Sequence, residues 1–114
     1  HALGLLHVRR QRYDAGLAAL AAAARLAPDN TRYQYVYAVA LHDRGNRRDS
    51  VKVLETALRR NAVDRDILIA LAQYHAEQGR HDAALVHAQR LVELDPEDRE
   101  LRALLAGVEA AARR

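Results

Sequence analysis

The chain has no cysteine, which excludes disulfides, thiolate-bound metal and covalently attached haem within these residues. It has no phenylalanine, tryptophan or methionine, and only five tyrosines. Half of it is nevertheless apolar, and alanine and leucine dominate that half. Both are strong helix formers, with little conformational cost on a helix. Thr31 and Thr56 are the only threonines, and valine and isoleucine nowhere alternate with polar residues over a strand length; the pattern predicts an all-α domain. No apolar run approaches the roughly 20 residues of a membrane span, and no charged-then-apolar leader is visible. Ser50 is the only serine. There is no G-x-S-x-G, no glycine-rich phosphate loop and no H-E-x-x-H. No enzyme and no cofactor are expected.

Charge of one sign is also modest. The net charge is +3, from 18 basic and 15 acidic residues, and all the basic ones except Lys52 are arginine. A nucleic-acid surface needs a denser basic stripe, and the arginine bias reads first as coding composition. Arg9, Arg10, Arg12, Arg44, Arg47, Arg48 and Arg80 do fall near the turns within helix pairs. They form an edge that offers nucleic acid or other anions a weaker alternative site. The six histidines are His1, His7, His42, His75, His81 and His87. No two share the three- or four-residue spacing of a helical metal pair. His7 and His75 are read as hydrogen-bonded packing residues, and no metal is expected.

What the chain has in abundance is internal repetition. Gln11, Gly45 and Gly79 are 34 residues apart, as are Gly16, Ser50 and Ala84, and Asn30, Asp64 and Asp98; Pro28 and Pro96 are separated by two such periods. A period of this length marks a stacked helical repeat, in which each unit buries its apolar face only against its neighbours. Asn30, Asp64 and Asp98 are N-cap residues before apolar-periodic runs. Gly45 and Gly79 are helix stops. Asp14, Asp49 and Asp82 suit the starts of second helices. The spacing predicts seven helices over about 2–10, 13–26, 31–44, 47–60, 65–78, 81–94 and 98–112. They divide into repeats of about 1–30, 31–64 and 65–98 and a capping helix over 99–114. The start at His1, in mid-pattern, suggests a piece of a longer protein.

These residues resemble the tetratricopeptide repeat family. The large-then-small pairs of its first helix are matched by Leu3-Gly4, Tyr37-Ala38, Leu71-Ala72 and Leu105-Ala106. The turn glycine is matched by Gly45 and Gly79 and replaced by Gln11. The second-helix pattern is matched by Tyr13, Gly16, Leu20 and Ala23, and by Ser50, Leu54 and Ala57; in the third unit, Ala84, Ala88 and Leu91 exchange the large and small partners. Pro28 and Pro96 match the closing proline and Ala62 departs from it. The resemblance spans the whole chain. It implies a right-handed α-solenoid of three helix-turn-helix repeats plus a capping helix, and a module that holds other proteins.

On that reading the first helices line a concave groove. Tyr33 and Tyr37 share a face assigned to the core, and Tyr35, about 200° away on the helix, points into the groove. The expected groove residues are Leu5, Arg32, Tyr35, Val39, His42, Ile69 and Gln73, with Tyr35 as anchor, apolar contact from Leu5, Val39 and Ile69, and orientation from Arg32, His42 and Gln73; Arg9, Arg32, Asp43 and Asp66 are expected at its rim. Lys and Asn, with which some family members clamp a terminal carboxylate, are absent from these stripes. An apolar peptide or amphipathic helix is the expected partner. The alternatives are an assembly segment of a larger bacterial protein, such as a multihaem cytochrome-like parent, and a homodimer through Leu3 and Leu6 of the N-terminal helix. The compartment is not fixed by the sequence: cytoplasmic by default, with the periplasm as the alternative.

Overall fold

The structure, a computed structural model, describes the backbone of residues 2–114 and the side chains of residues 12–114. Six helices follow one another: α1 (Ala2–Leu26), α2 (Thr31–Asp43), α3 (Arg47–Arg60), α4 (Arg65–Glu77), α5 (His81–Leu94) and α6 (Arg99–Ala112). No strand occurs among the described residues. Helices adjacent in sequence pack on one another, and α4 also touches α6. This is a helical solenoid, elongated to 49 × 33 × 22 Å.

The chain's caps set the helix boundaries. The side chains of Asn30, Asp64 and Asp98 accept the amides of Tyr33, Ile67 and Leu101 at 3.1, 3.0 and 3.1 Å, satisfying donors that the first helical turn leaves free. At the other end, α2 and α4 close in the same way. Gly45 and Gly79 adopt φ of +85° and +74°. That lets the Asn46 amide reach the Leu41 carbonyl and the Arg80 amide reach the His75 carbonyl, each at 2.9 Å. A side chain at either glycine would be strained, and the reversal into the next helix depends on this conformation.

The same argument explains where the structure departs from the expected seven helices. Gln11 occupies the position of the two glycines, and a glutamine resists positive φ. No turn forms there, and α1 runs unbroken for 25 residues, about 37 Å. The predicted helices 2–10 and 13–26 are one helix, so the first unit is not a hairpin. Gly16 shows the consequence. Its counterparts Ser50 and Ala84 are fully buried, where α3 and α5 cross α2 and α4. Gly16 is exposed, and a Cβ there would meet nothing within 4 Å.

Among the described residues, three buried clusters make up the core. One joins Ala38, Val51, Leu54, Ala57, Ile67, Ala70, Leu71 and Tyr74 from α2, α3 and α4. A second joins Ala72, Ala84, Ala88 and Val108, and a third Leu68, Leu91 and Leu101. Ser50 adds a polar tie, its hydroxyl donating to the Ala38 carbonyl at 2.7 Å. Gln34 donates to the carbonyl of Ala24 at 2.8 Å and of Ala27 at 3.3 Å, closing the C-terminal end of α1. Ion pairs link successive units at the surface: Arg44 with Asp14, Arg60 with Asp29, and Arg65 with Asp98 at 2.8 Å.

Candidate functional site

The first helices α2 and α4 meet along a seam of polar and aromatic side chains. Arg32 and Asp66 occupy the second position of α2 and α4. They approach to 3.9 Å, and the Arg32 guanidinium lies over the Tyr35 ring, 5.5 Å from its centre. At the other end, His42 stacks flat on Tyr74, with ring centres 3.8 Å apart and planes 4° from parallel. Its Nε2 lies 2.7 Å from a Glu77 carboxylate oxygen, and its Nδ1 lies 3.7 Å from Asp43. A carboxylate therefore lies near each ring nitrogen.

The expected groove residues are distributed over this seam and the next. Tyr35 is half-buried and packs against the cluster built on Ala38, Leu54, Ile67 and Tyr74. Ile69 is half-buried against Leu68, Leu91 and Leu101. Val39 and His42 are half-buried, while Arg32 and Gln73 are exposed. The side chain of Leu5 lies outside the described residues, as do those of Leu3, Leu6, His7, Arg9 and Arg10. The structure thus brings Arg32, Tyr35 and Asp66 together, and His42 together with Tyr74 and Glu77. Sequence reasoning missed the last two. Glu77 was findable, because it follows Asp43 by one period. Tyr74 was not, because its counterpart one period earlier is Ala40. The expectation for Tyr33 is corrected. It is 46% exposed, in the first turn of α2, where its amide is held by Asn30 and no core cluster includes it. Tyr37 is half-buried.

Among the described residues, burial shifts the titration of three groups. Tyr74 is pushed up to about 12, first by desolvation and then by Asp43, Tyr35 and Glu77. His75 is buried on α4, its Nε2 3.4 Å from Glu55 on α3 and its ring 5.7 Å from that of His87 on α5. Its Nδ1 has no hydrogen-bond partner among the described residues. Desolvation lowers the pKa of both imidazoles; Glu55 opposes the shift at each, Arg80 adds to it at His75, and His75 adds to it at His87. Among the described residues no group of three histidine, aspartate or glutamate side chains could hold a metal ion, and no helix is long and apolar enough to cross a membrane.

A separate cavity of about 470 Å³ opens between α1 and α2, lined by Tyr13, Gly16, Leu17, Leu20, Ala40 and Arg44, among others. It lies along the stretch of α1 left uncovered because the first unit is not a hairpin. Of the arginine edge, Arg12, Arg44, Arg47, Arg48 and Arg80 are exposed, and Arg44 is held by Asp14.

The family model described as tetratricopeptide repeat matches residues 1–47 and 41–99. No curated protein matches the chain. Among solved structures, the chain is similar to PcrH, crystallised in complex with the chaperone binding region of PopD. The identity is 17% and the TM-score 0.69, over 98% of this chain and 84% of that one. At that identity the likeness is one of fold.

Proposed function

The chain belongs to the tetratricopeptide repeat family, and from that premise we propose that its first helices form a groove that holds a segment of another protein, without chemistry. The observation that carries this reading is the seam itself. α2 and α4 present Tyr35, Val39, Ile69 and Gln73 in register, half-buried to exposed, between the Arg32–Asp66 pair and the His42–Tyr74–Glu77 group. A surface of this composition, apolar in the middle and polar at the rim, suits a protein segment. The fold likeness to PcrH, whose crystal structure contains a region of a second protein, supports the same reading.

Arg32 and Gln73 are the exposed, adjustable contacts of this groove, and Val39 and Ile69 supply its apolar floor. Tyr35 anchors from the side: its inner edge belongs to the core and its outer edge to the partner. His42 acts indirectly, because both its ring nitrogens face carboxylates; it fixes α2 against α4 and so sets the groove's width.

Affinity capture with the wild-type chain and two variants tests the assignment. Gln73→Arg places a charge in the groove at an exposed site. Val86→Arg does so on α5, where Val86 is 61% exposed. The expected result is a polypeptide retained by wild type and Val86→Arg and lost by Gln73→Arg. Loss with Val86→Arg alone would place the interaction on the second helices and contradict the proposal.

A further inference from the structure

Among the described residues, the end positions of the groove's first helices carry a charge opposite to that of the chain. Arg32, Asp66 and Glu100 each occupy the second position of α2, α4 and α6, 34 residues apart. Asp43 and Glu77 are the last residues of α2 and α4. Among the described residues, these helix-end positions set one cation against four carboxylates, on a chain whose net charge is +3; Arg12 and Arg44 line the α1–α2 cavity beside Asp43, and Arg44 is paired with Asp14. The one cation is already engaged with Asp66 and Tyr35. The excess positive charge lies elsewhere: α3 alone carries Arg47, Arg48, Lys52, Arg59 and Arg60 against Asp49 and Glu55.

At the Asp43–Glu77 rim the negative C-terminal ends of α2 and α4 add to the two carboxylates. A helix C-terminus favours cations, and a carboxylate there works against the macrodipole by roughly 0.3–1 kcal/mol. The chain bears that cost in two successive repeats. The side chains stay open to solvent, Asp43 at 73% and Glu77 at 50% exposed. His42 is the only basic side chain within 4.0 Å of either among the described residues.

We propose that the segment held in the groove is cationic at one end: a lysine or arginine side chain seats on the solvent-exposed sides of Asp43 and Glu77, which flank the His42 ring, while apolar side chains of the same segment lie over Val39, Tyr35 and Ile69. The inference rests on the groove reading above and adds the chemistry of the occupant. Charge complementarity of this kind sets orientation and partner choice.

Three labelled probe peptides of leucine, alanine and serine test it, identical except for lysine, glutamate or glutamine at both ends. Binding is measured by fluorescence anisotropy at low and high salt, to wild type, Asp43→Asn, Asp43→Asn/Glu77→Gln and Gln73→Trp, each checked for helicity. The expected result is affinity about tenfold tighter for the lysine peptide than for its glutamine twin and weakest for the glutamate one. The difference should shrink in Asp43→Asn, vanish in the double variant, and fall with salt. Equal wild-type affinity for all three, with loss of all three in Gln73→Trp, overturns the inference and leaves the groove reading in place. Binding that Gln73→Trp does not disturb overturns the groove reading itself. Failure of the lysine peptide to bind the wild-type chain also overturns the inference.

Discussion

His42 and Tyr74, 32 residues apart in sequence, lie face to face with ring centres 3.8 Å apart, and Glu77 holds the outer edge of the imidazole at 2.7 Å. This is a direct side-chain link between α2 and α4, and it lies at the rim of the proposed groove. An aromatic stack contributes about 0.5–1.5 kcal/mol beyond its buried area, and the hydrogen bond to a half-exposed carboxylate adds about 1 kcal/mol. His42→Ala should therefore lower unfolding stability by about 1–2 kcal/mol in urea. Glu77→Gln should cost less, and the two should be non-additive in a double-mutant cycle. Additive effects would mean that the contact is not formed in solution.

Acid should loosen the second half of the solenoid. The folded state holds His75 and His87 below the ordinary histidine value, chiefly by desolvation, so the unfolded chain binds more protons than the folded one in mild acid. Stability is then fully present above the unfolded value of about 6.5. It declines as pH falls through that value and on through the lower folded ones. Thermal unfolding followed from pH 8 to pH 5 should show the decline. His75→Tyr, which puts a bulky neutral residue where the repeat accepts one, should flatten it. An unchanged slope in that variant would remove His75 as the cause.

The two classes of glycine should respond in opposite directions. Gly79→Ala forces a side chain onto φ of +74° and should cost about 1–2 kcal/mol. Gly16 lies inside the continuous α1 with open space beyond it, so Gly16→Gln should raise stability by several tenths of a kcal/mol through helix propensity. If Gly16→Gln destabilises the chain, residues 2–10 fold back on α1 as a hairpin in solution, and the uninterrupted helix is wrong.

Removing the Ser50 hydroxyl should be mild. Ser50→Ala deletes one buried hydrogen bond to Ala38 but keeps the small size the crossing needs, as Ala84 does in the next pair. The expected loss is about 1 kcal/mol. Ser50→Leu, which overfills the crossing, should cost more. Chemical denaturation of both variants checks the order.

The legible parts of this fold are those fixed by local chemistry. Asn30, Asp64 and Asp98 cap the helices they precede, because the capping bond spans only three residues. Gly45 and Gly79 end α2 and α4, because only glycine takes the required φ cheaply. The expected turn at Gln11 rested on register alone, without the residue that makes the turn, and there the helix continues. The Arg32–Tyr35 approach and the half-burial of Ile69 follow from helical geometry and the period. The His42–Tyr74 stack does not, because it joins two positions whose counterparts in neighbouring repeats are not aromatic. Tyr33 was misplaced because periodicity assigns a face, but not whether a neighbouring helix reaches far enough to cover it.

The central claim is that protein segments bind along the first helices. Amide chemical-shift mapping of the labelled chain on titration with the lysine-ended probe peptide tests it most directly. Shifts concentrated at Arg32, Tyr35, Asp43, Ile69, Gln73 and Glu77, with Lys52 and Val86 unmoved, are the predicted result. Shifts centred on Lys52, Val86 and their neighbours on α3 and α5 would contradict the account.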